Sequence, residues 1–157
     1  MGMAISVQHY LESHNLPYQT ETHQHTSCSH ATARAGQVPA EMLAKGVVIR
    51  RKDGFLLAVV PASAHVSLEE VGRILDEPVG LATEAELAAL FSDCEPGCIP
   101  PIGVAYGLQA LLDEDLGTLS DVYFEAGDHC TLVHLAGRDF QRAMADARYA
   151  HIAASNH

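Results

Sequence analysis

The sequence predicts a mixed α/β (α+β) protein, built as one mixed, mostly antiparallel sheet of about six or more strands with helices packed around it. Three observations carry this expectation. Helix-like and strand-like segments mix along the chain without strict alternation, which argues against a doubly wound parallel fold. The run KGVVIRRKDGFLLAVVP reads as two apolar strands joined at Asp53-Gly54, a dipeptide suited to a tight hairpin turn. SLEE and TEAE each place a hydroxyl residue three positions before a glutamate, the reciprocal capping arrangement that opens a helix.

The remaining elements follow in order. Ser6 to Asn15 carries Val7, Tyr10, Leu11 and His14 at helical spacing, with Ser6 placed to cap and Pro17 to stop it. PYQTET alternates and reads as a short strand. A short helix is expected from about Ser29 to Ala35, ended by Gly36, and another helical turn from Pro39 to Leu43. The second hairpin arm is nearly all apolar, as a central strand covered on both faces should be. The two capped helices run over roughly 68–76 and 84–91. PGCIPPIG is too rich in Pro and Gly for regular structure and reads as an ordered loop. LQALLDEDL, DVYFEAG and CTLVHLA read as three further strands. RDFQRAMADARYA closes the chain as an amphipathic helix with Phe140, Met144 and Ala147 on one stripe.

Length and composition bound the function. A chain of 157 residues, 48% hydrophobic and 18% charged, is expected to form a single domain over 1–157 with one sizeable core. The longest apolar runs, such as GFLLAVVP, are strand-sized and far short of a membrane span. No basic flank followed by an apolar stretch marks the N-terminus as a secretory signal. A cytoplasmic location is therefore expected, and the four cysteines are read as thiols. Nine Lys plus Arg against twenty Asp plus Glu leave a formal charge of −11, which opposes extended nucleic-acid binding. Any nucleic acid would be gripped locally. The one basic cluster, Arg50, Arg51 and Lys52, reads as a solvated strand edge.

THQHTSCSH gathers His23, His25, Cys28 and His30. Neither short pair matches a zinc-finger spacing, so the stretch is read as a polar loop, with zinc binding as the lesser alternative. Cys94 and Cys98 could meet His129 and Cys130 in space, but buried cysteine usually serves as small apolar filler. No nucleophile elbow, phosphate loop, HExxH or dinucleotide fingerprint occurs. What remains is Lys45, a cation opening an apolar strand, and Gly97 with Pro101, which fix a backbone whose amides could face a ligand. The bland alternatives are an exposed strand-end lysine and a plain tight turn.

LAKGVVI with a second apolar strand ending AVVPAS, LATEAELAALFSDCEPGCIPPIG, and DVYFEAGDHCTLVHLAGRDF occur in that order. In these segments, over roughly residues 17 to 145, the chain resembles the YbaK/EbsC family, relatives of the editing domain inserted in bacterial prolyl-tRNA synthetases. The resemblance implies a YbaK-like fold and a free-standing deacylase that hydrolyses mischarged aminoacyl-tRNA in trans, commonly tRNA for proline bearing alanine or cysteine. It puts the family's functional lysine on Lys45, its G-x-x-x-P signature on Gly97 through Pro101, and its editing histidine on His129. Lys45 and His129 are then the expected catalytic residues. Gly46, Gly97, Ile99, Pro101 and Ile102 are the expected substrate-binding residues. The residue after the lysine is commonly Thr, Ala or Asn in that family and is Gly46 here, which bears on pocket shape.

The implied partners are the aminoacyl-tRNA acceptor end and prolyl-tRNA synthetase, with no cofactor. An ester is labile enough that positioning and charge stabilisation suffice. Lys45 would hold a phosphate or ribose oxygen, and the Gly97–Pro101 amides would stabilise the oxyanion. Water would be activated by His129 or by the ribose hydroxyl of the substrate. The competing class is an inactive tRNA- or synthetase-binding module of the same fold.

Overall fold

The structure, a computed structural model, describes residues 3–23 and 37–155. The helix expected from Ser29 to Ala35 and most of THQHTSCSH lie outside the described residues.

The described residues form an eight-stranded mixed sheet with helices on it and a separate two-stranded ribbon. In chain order come α1 (Ile5–Ser13), β1 (Gln19–Thr22), β2 (Leu43–Arg51), β3 (Gly54–Pro61), β4 (Ala64–Val66), α2 (Leu68–Leu75), β5 (Gly80–Leu81), α3 (Glu84–Leu90), β6 (Ala110–Asp113), β7 (Asp121–Glu125), β8 (Thr131–Ala136), α4 (Gly137–Ala143), β9 (Arg148–Ala150) and β10 (Ala153–Ser155). The sheet order is β1-β8-β7-β2-β3-β6-β9, with β5 also on β2, while β10 pairs with β4. The expected mixed sheet with surrounding helices is borne out.

β2 and β3 form the long antiparallel hairpin, paired from Ala44 with Pro61 to Arg51 with Gly54. β3 is the central strand the apolar run predicts. Its Leu57 and Val59 enter one core with Val7 and Leu11 of α1, Phe91, Ile102 and Phe140. Its Leu56, Ala58 and Val60 enter a second core with Ile49 and Val71 of α2. Each such fully buried Leu or Val stabilises by about 1.5–3 kcal/mol, so the hairpin is anchored from both sides.

Four local expectations need correction. Ser6 does not cap α1, which starts one residue earlier behind Ala4. The Ser6 N–H instead donates to the Asp93 carboxylate at 2.9 Å, an acceptor supplied from a distant loop. Thr83 and Glu86 make the full reciprocal capping box, but at Ser67 only half forms. The Ser67 hydroxyl accepts from Glu70 N, while the Ser67 N–H donates to the carbonyl of Ile152.

LQALLDEDL remains extended only through Asp113, then turns into a 3-10 segment, Glu114–Thr118. Asp113 is wholly buried, and its carboxylate accepts the N–H groups of Asp115, Ile152 and Ala153. RDFQRAMADARYA is helical only to Ala143, and Arg148–Ala150 becomes the edge strand β9. Phe140 and Met144 stay in the core as the stripe requires. The last turn unwinds because Leu111–Asp113 of β6 needs a pairing partner, and Arg148–Ala150 supplies it in parallel register.

Candidate functional site

The site grows from a gap in the sheet. β2 and β7 pair in parallel over only two residues, Leu43 with Tyr123 and Ala44 with Phe124. Beyond that point the strands part. On the same edge of β2, pairing resumes at Ile49 and Arg50 with β5, and the Ala82 N–H donates to the Val48 carbonyl. By the two-residue alternation of strand hydrogen bonding, the N–H and C=O of Gly46 face this edge, between the two stretches of pairing. Divergence of neighbouring parallel strands is where open α/β sheets leave a crevice for ligands.

The PGCIPPIG loop is seated at this gap. A Cβ on Gly46 would lie 3.0 Å from Leu57 Cδ1, 3.3 Å from Ile99 Cγ2 and 3.3 Å from the Pro100 carbonyl oxygen. Only glycine lets the loop come this close to β2. Gly97, at φ +79°, makes the left-handed bend that carries the chain across the gap.

The other wall is the turn after β7, and it grips the loop through four contacts. The Glu95 N–H donates to the Gly127 carbonyl at 2.7 Å. The Cys98 thiol donates to the Asp128 carbonyl at 2.9 Å. The His129 N–H approaches the Glu95 carboxylate at 3.4 Å, and the His129 ring reaches the Pro96 carbonyl through Nε2 at 2.8 Å. The Asp128 carboxylate serves its own turn, accepting from Cys130 N, Thr131 N and the Thr131 hydroxyl.

His129 is buried against the loop. Its side chain, 7% exposed, turns to the loop and to Glu125, whose carboxylate lies 3.6 Å from Nδ1. Cys98, Glu125 and His129 each bring a side-chain atom within 4.8 Å of the others. Burial first, then the Glu125 carboxylate, pushes the Cys98 thiol far above its ordinary value, so it stays protonated. Cys94 does not join them. Its sulfur is 3.4 Å from the Tyr106 hydroxyl, and burial raises its thiol to about 12.

Lys45 is half-buried on β2. Alternation puts it on the sheet face of Leu43, Val47 and Ile49, and puts Gly46 on the face of Ala44 and Val48. The loop's Ile99 contact is thus on the far side of β2 from the lysine side chain. In the β2/β7 register Lys45 and Glu125 hold the next positions on their strands and share a face.

Gly97 and Ile99 also border an apolar cavity of about 280 Å³, with Leu87, Phe91 and Cys94 on its walls. Pro101 and Ile102 do not reach it. Both are buried, and Ile102 lies at 0% exposure in the main core. The residue that sequence reasoning missed is Glu125. It sits in an apolar strand motif, DVYFEAG, and only its buried position sets it apart from a solvent-facing glutamate.

Residues 23–143 match the profile of the aminoacyl-tRNA editing domain. The chain belongs to this family. It is 26% identical over 125 residues to proline–tRNA ligases from two strains of Xanthomonas oryzae pv. oryzae, a match that covers 79% of this chain. The chain spans only 22% of the length of these curated relatives. Its fold superposes on a solved structure of a proposed trans-editing enzyme for prolyl tRNA synthetase with TM-score 0.81 at 23% identity, covering 97% of each chain. A scaffold protein used to present grafted linear epitopes shares the fold at TM-score 0.82 and 20% identity, over 98% of this chain and 97% of the other. Among the described residues no helix is long and apolar enough to cross a membrane.

Proposed function

We propose that this editing-domain protein is a trans-acting deacylase that hydrolyses the ester of mischarged aminoacyl-tRNA, with tRNA for proline carrying alanine or another small amino acid as its substrate. The observation that carries the reading is the seating of the Gly97–Pro101 backbone at the gap beside β2, between Gly46 and the His129 turn. Within this segment the N–H groups of Gly97 and Ile99 are the donors that could meet a developing oxyanion, since Pro100 and Pro101 carry none and the Cys98 N–H donates to the Glu95 carbonyl; one such donor is worth about 3 kcal/mol. Lys45, on the strand that borders the gap, anchors a phosphate or ribose oxygen of the terminal adenosine.

Water adds to the ester carbonyl, the bond to the ribose oxygen breaks, and that oxygen leaves as a hydroxyl carrying a proton. The products are the free amino acid and uncharged tRNA. Gly46 and Ile99 bound the space for the amino-acid side chain, and a steric limit there admits alanine over proline. Selectivity from one methylene alone is worth only about 1–3 kcal/mol. With a chain charge of −11, only the acceptor end is gripped, and affinity falls modestly with salt. Prolyl-tRNA synthetase is the proposed partner that supplies the mischarged product, in the cytoplasm.

The test is a deacylation panel on tRNA for proline charged with alanine, cysteine, serine or proline, run against wild type and Lys45→Ala. Hydrolysis of a small mischarged amino acid that depends on Lys45 supports the reading. Equal rates for both proteins remove Lys45 from the mechanism. The closeness of Gly46 to Ile99 also suits a binding module that lacks turnover, and acceptor-end binding without hydrolysis of any charged species would select it.

A further inference from the structure

We infer that Cys98, Glu125 and His129 form a zinc site, which holds one ion through a thiolate sulfur, a carboxylate oxygen and Nδ1. The ion would pin the PGCIPPIG loop to the end of β7 and the turn that follows it. This goes beyond the deacylase reading and does not depend on it.

The three ligand atoms all lie within 4.8 Å of one another, and all three residues are buried. Among the described residues this is the one group of three metal-ligating side chains that converges. Glu125 Oε2 and His129 Nδ1 are 3.6 Å apart. That separation is too long for a hydrogen bond, but it suits two ligands of one ion. With zinc bonds of about 2.0–2.2 Å, neighbouring nitrogen and oxygen ligands of a tetrahedron stand roughly 3.3–3.6 Å apart. A thiolate on the same ion stands roughly 3.6 Å from either. Binding therefore draws the Cys98 sulfur inward by no more than about 1.2 Å.

A second observation concerns the far side of the ring. A metal-bound imidazole as a rule donates its other N–H to a carbonyl or carboxylate, which fixes the orientation of the ring. His129 makes this contact through Nε2, 2.8 Å from the Pro96 carbonyl oxygen, an atom that can only accept. Nδ1 is then the nitrogen turned toward Glu125.

The donor set selects the metal. Sulfur, nitrogen and oxygen together suit zinc, whereas magnesium and calcium take oxygen alone. A thiolate and a carboxylate offset the two positive charges, as a buried ion requires. In the metal-free protein the Cys98 thiol is protonated, raised by burial and by the Glu125 carboxylate, and donates to the Asp128 carbonyl. On binding, that proton leaves to solvent and the sulfur–zinc bond takes its place. The Asp128 carboxylate is spent on Cys130 and Thr131, and Cys94 lies against Tyr106, so neither joins the set. Lys45 holds the strand position beside Glu125. A carboxylate has two oxygens and can face the lysine and the ion together.

The experiment uses the untagged full chain as wild type, Cys98→Ala, Glu125→Gln and Cys28→Ser, the last a thiol of THQHTSCSH. Each is stripped with a chelator, freed of it, and titrated with zinc or cobalt. Wild type and Cys28→Ser are expected to bind one equivalent of zinc and to gain thermal midpoint with it. Their cobalt forms are expected to show a thiolate-to-metal charge-transfer band and tetrahedral d–d bands. Cys98→Ala is expected to lose the charge-transfer band. Glu125→Gln, of nearly the same shape, is expected to keep its circular dichroism and bind zinc about tenfold more weakly or worse, and it decides the matter if Cys98→Ala fails to fold. Wild type that takes up no zinc, affinity unchanged in Glu125→Gln, a charge-transfer band kept in Cys98→Ala, or one lost in Cys28→Ser overturns the inference. Deacylation is not read, so failure of that activity and failure of the zinc site are separate results.

Discussion

Gly46 on β2 and Ile99 in the PGCIPPIG loop are packed so closely that a methyl added at Gly46 would fall 3.3 Å from Ile99 Cγ2 and equally close to the Pro100 carbonyl oxygen. Leu57 could rotate away from an added methyl, but the Pro100 backbone could not without moving the loop. Gly46→Ala is therefore expected to cost about 1–3 kcal/mol of stability, the usual penalty for overpacking a filled site. Denaturant melts measure the loss. Because the displaced loop borders the space proposed for the amino acid, the variant is also expected to shift the deacylation panel toward smaller amino acids.

Gly97 holds φ +79°. An alanine there adopts a conformation that costs about 1–2 kcal/mol, while the nearest atom to its methyl, His129 Cε1, is a comfortable 3.9 Å away. Strain, not a clash, is thus the whole effect. Gly97→Ala is expected to lower kcat for ester hydrolysis while leaving the thermal midpoint within a few degrees of wild type.

On the proposed reading, Lys45→Ala removes a charged donor to substrate. A hydrogen bond to a charged group is worth about 1.5–3 kcal/mol, which translates into a fall of roughly 10- to 150-fold in kcat/KM. Far-ultraviolet circular dichroism should be unchanged, since the lysine is only half-buried.

Asp113 fixes the chain terminus by accepting three backbone N–H groups, two of them from Ile152 and Ala153. Asp113→Ala leaves three backbone donors, the buried Ile152 N–H among them, without their acceptor and is expected to destabilise by about 3 kcal/mol. Hydrogen exchange should show the β4/β10 ribbon losing protection first, because it begins at Ala153.

Asp93 links the loop before PGCIPPIG to α1. Burial pushes its carboxyl upward, but hydrogen bonds from the Ser6 N–H and the Tyr106 hydroxyl outweigh this and hold it below the ordinary 3.8. A group depressed in the folded state stabilises fully above its unfolded value and loses that contribution as pH falls through the folded one. The stability difference between wild type and Asp93→Asn is therefore expected to be constant at neutral pH and to shrink below the ordinary 3.8. Urea melts across that range measure it.

The sequence by itself determined the parts whose physics is local. Apolar runs with a hairpin dipeptide fixed the β2/β3 hairpin, Thr83 with Glu86 fixed the start of α3, and Pro and Gly density fixed PGCIPPIG as a loop. As candidates, Lys45 and Gly97 stood out because their residue types are unusual where they stand and because the family resemblance coincides with them. Tertiary structure decided what depends on distant partners. Arg148–Ala150 has helical periodicity, yet it is a strand because β6 offers unpaired backbone. Ile102, expected in sequence to bind substrate, is fully buried in one core cluster with Leu57 and Phe91. Glu125 carries no local mark at all; its meaning comes from the parting of β2 and β7, which buries its carboxylate against His129. Propensity acts over a few neighbouring residues, whereas burial and hydrogen-bond pairing act between residues that only the fold brings together.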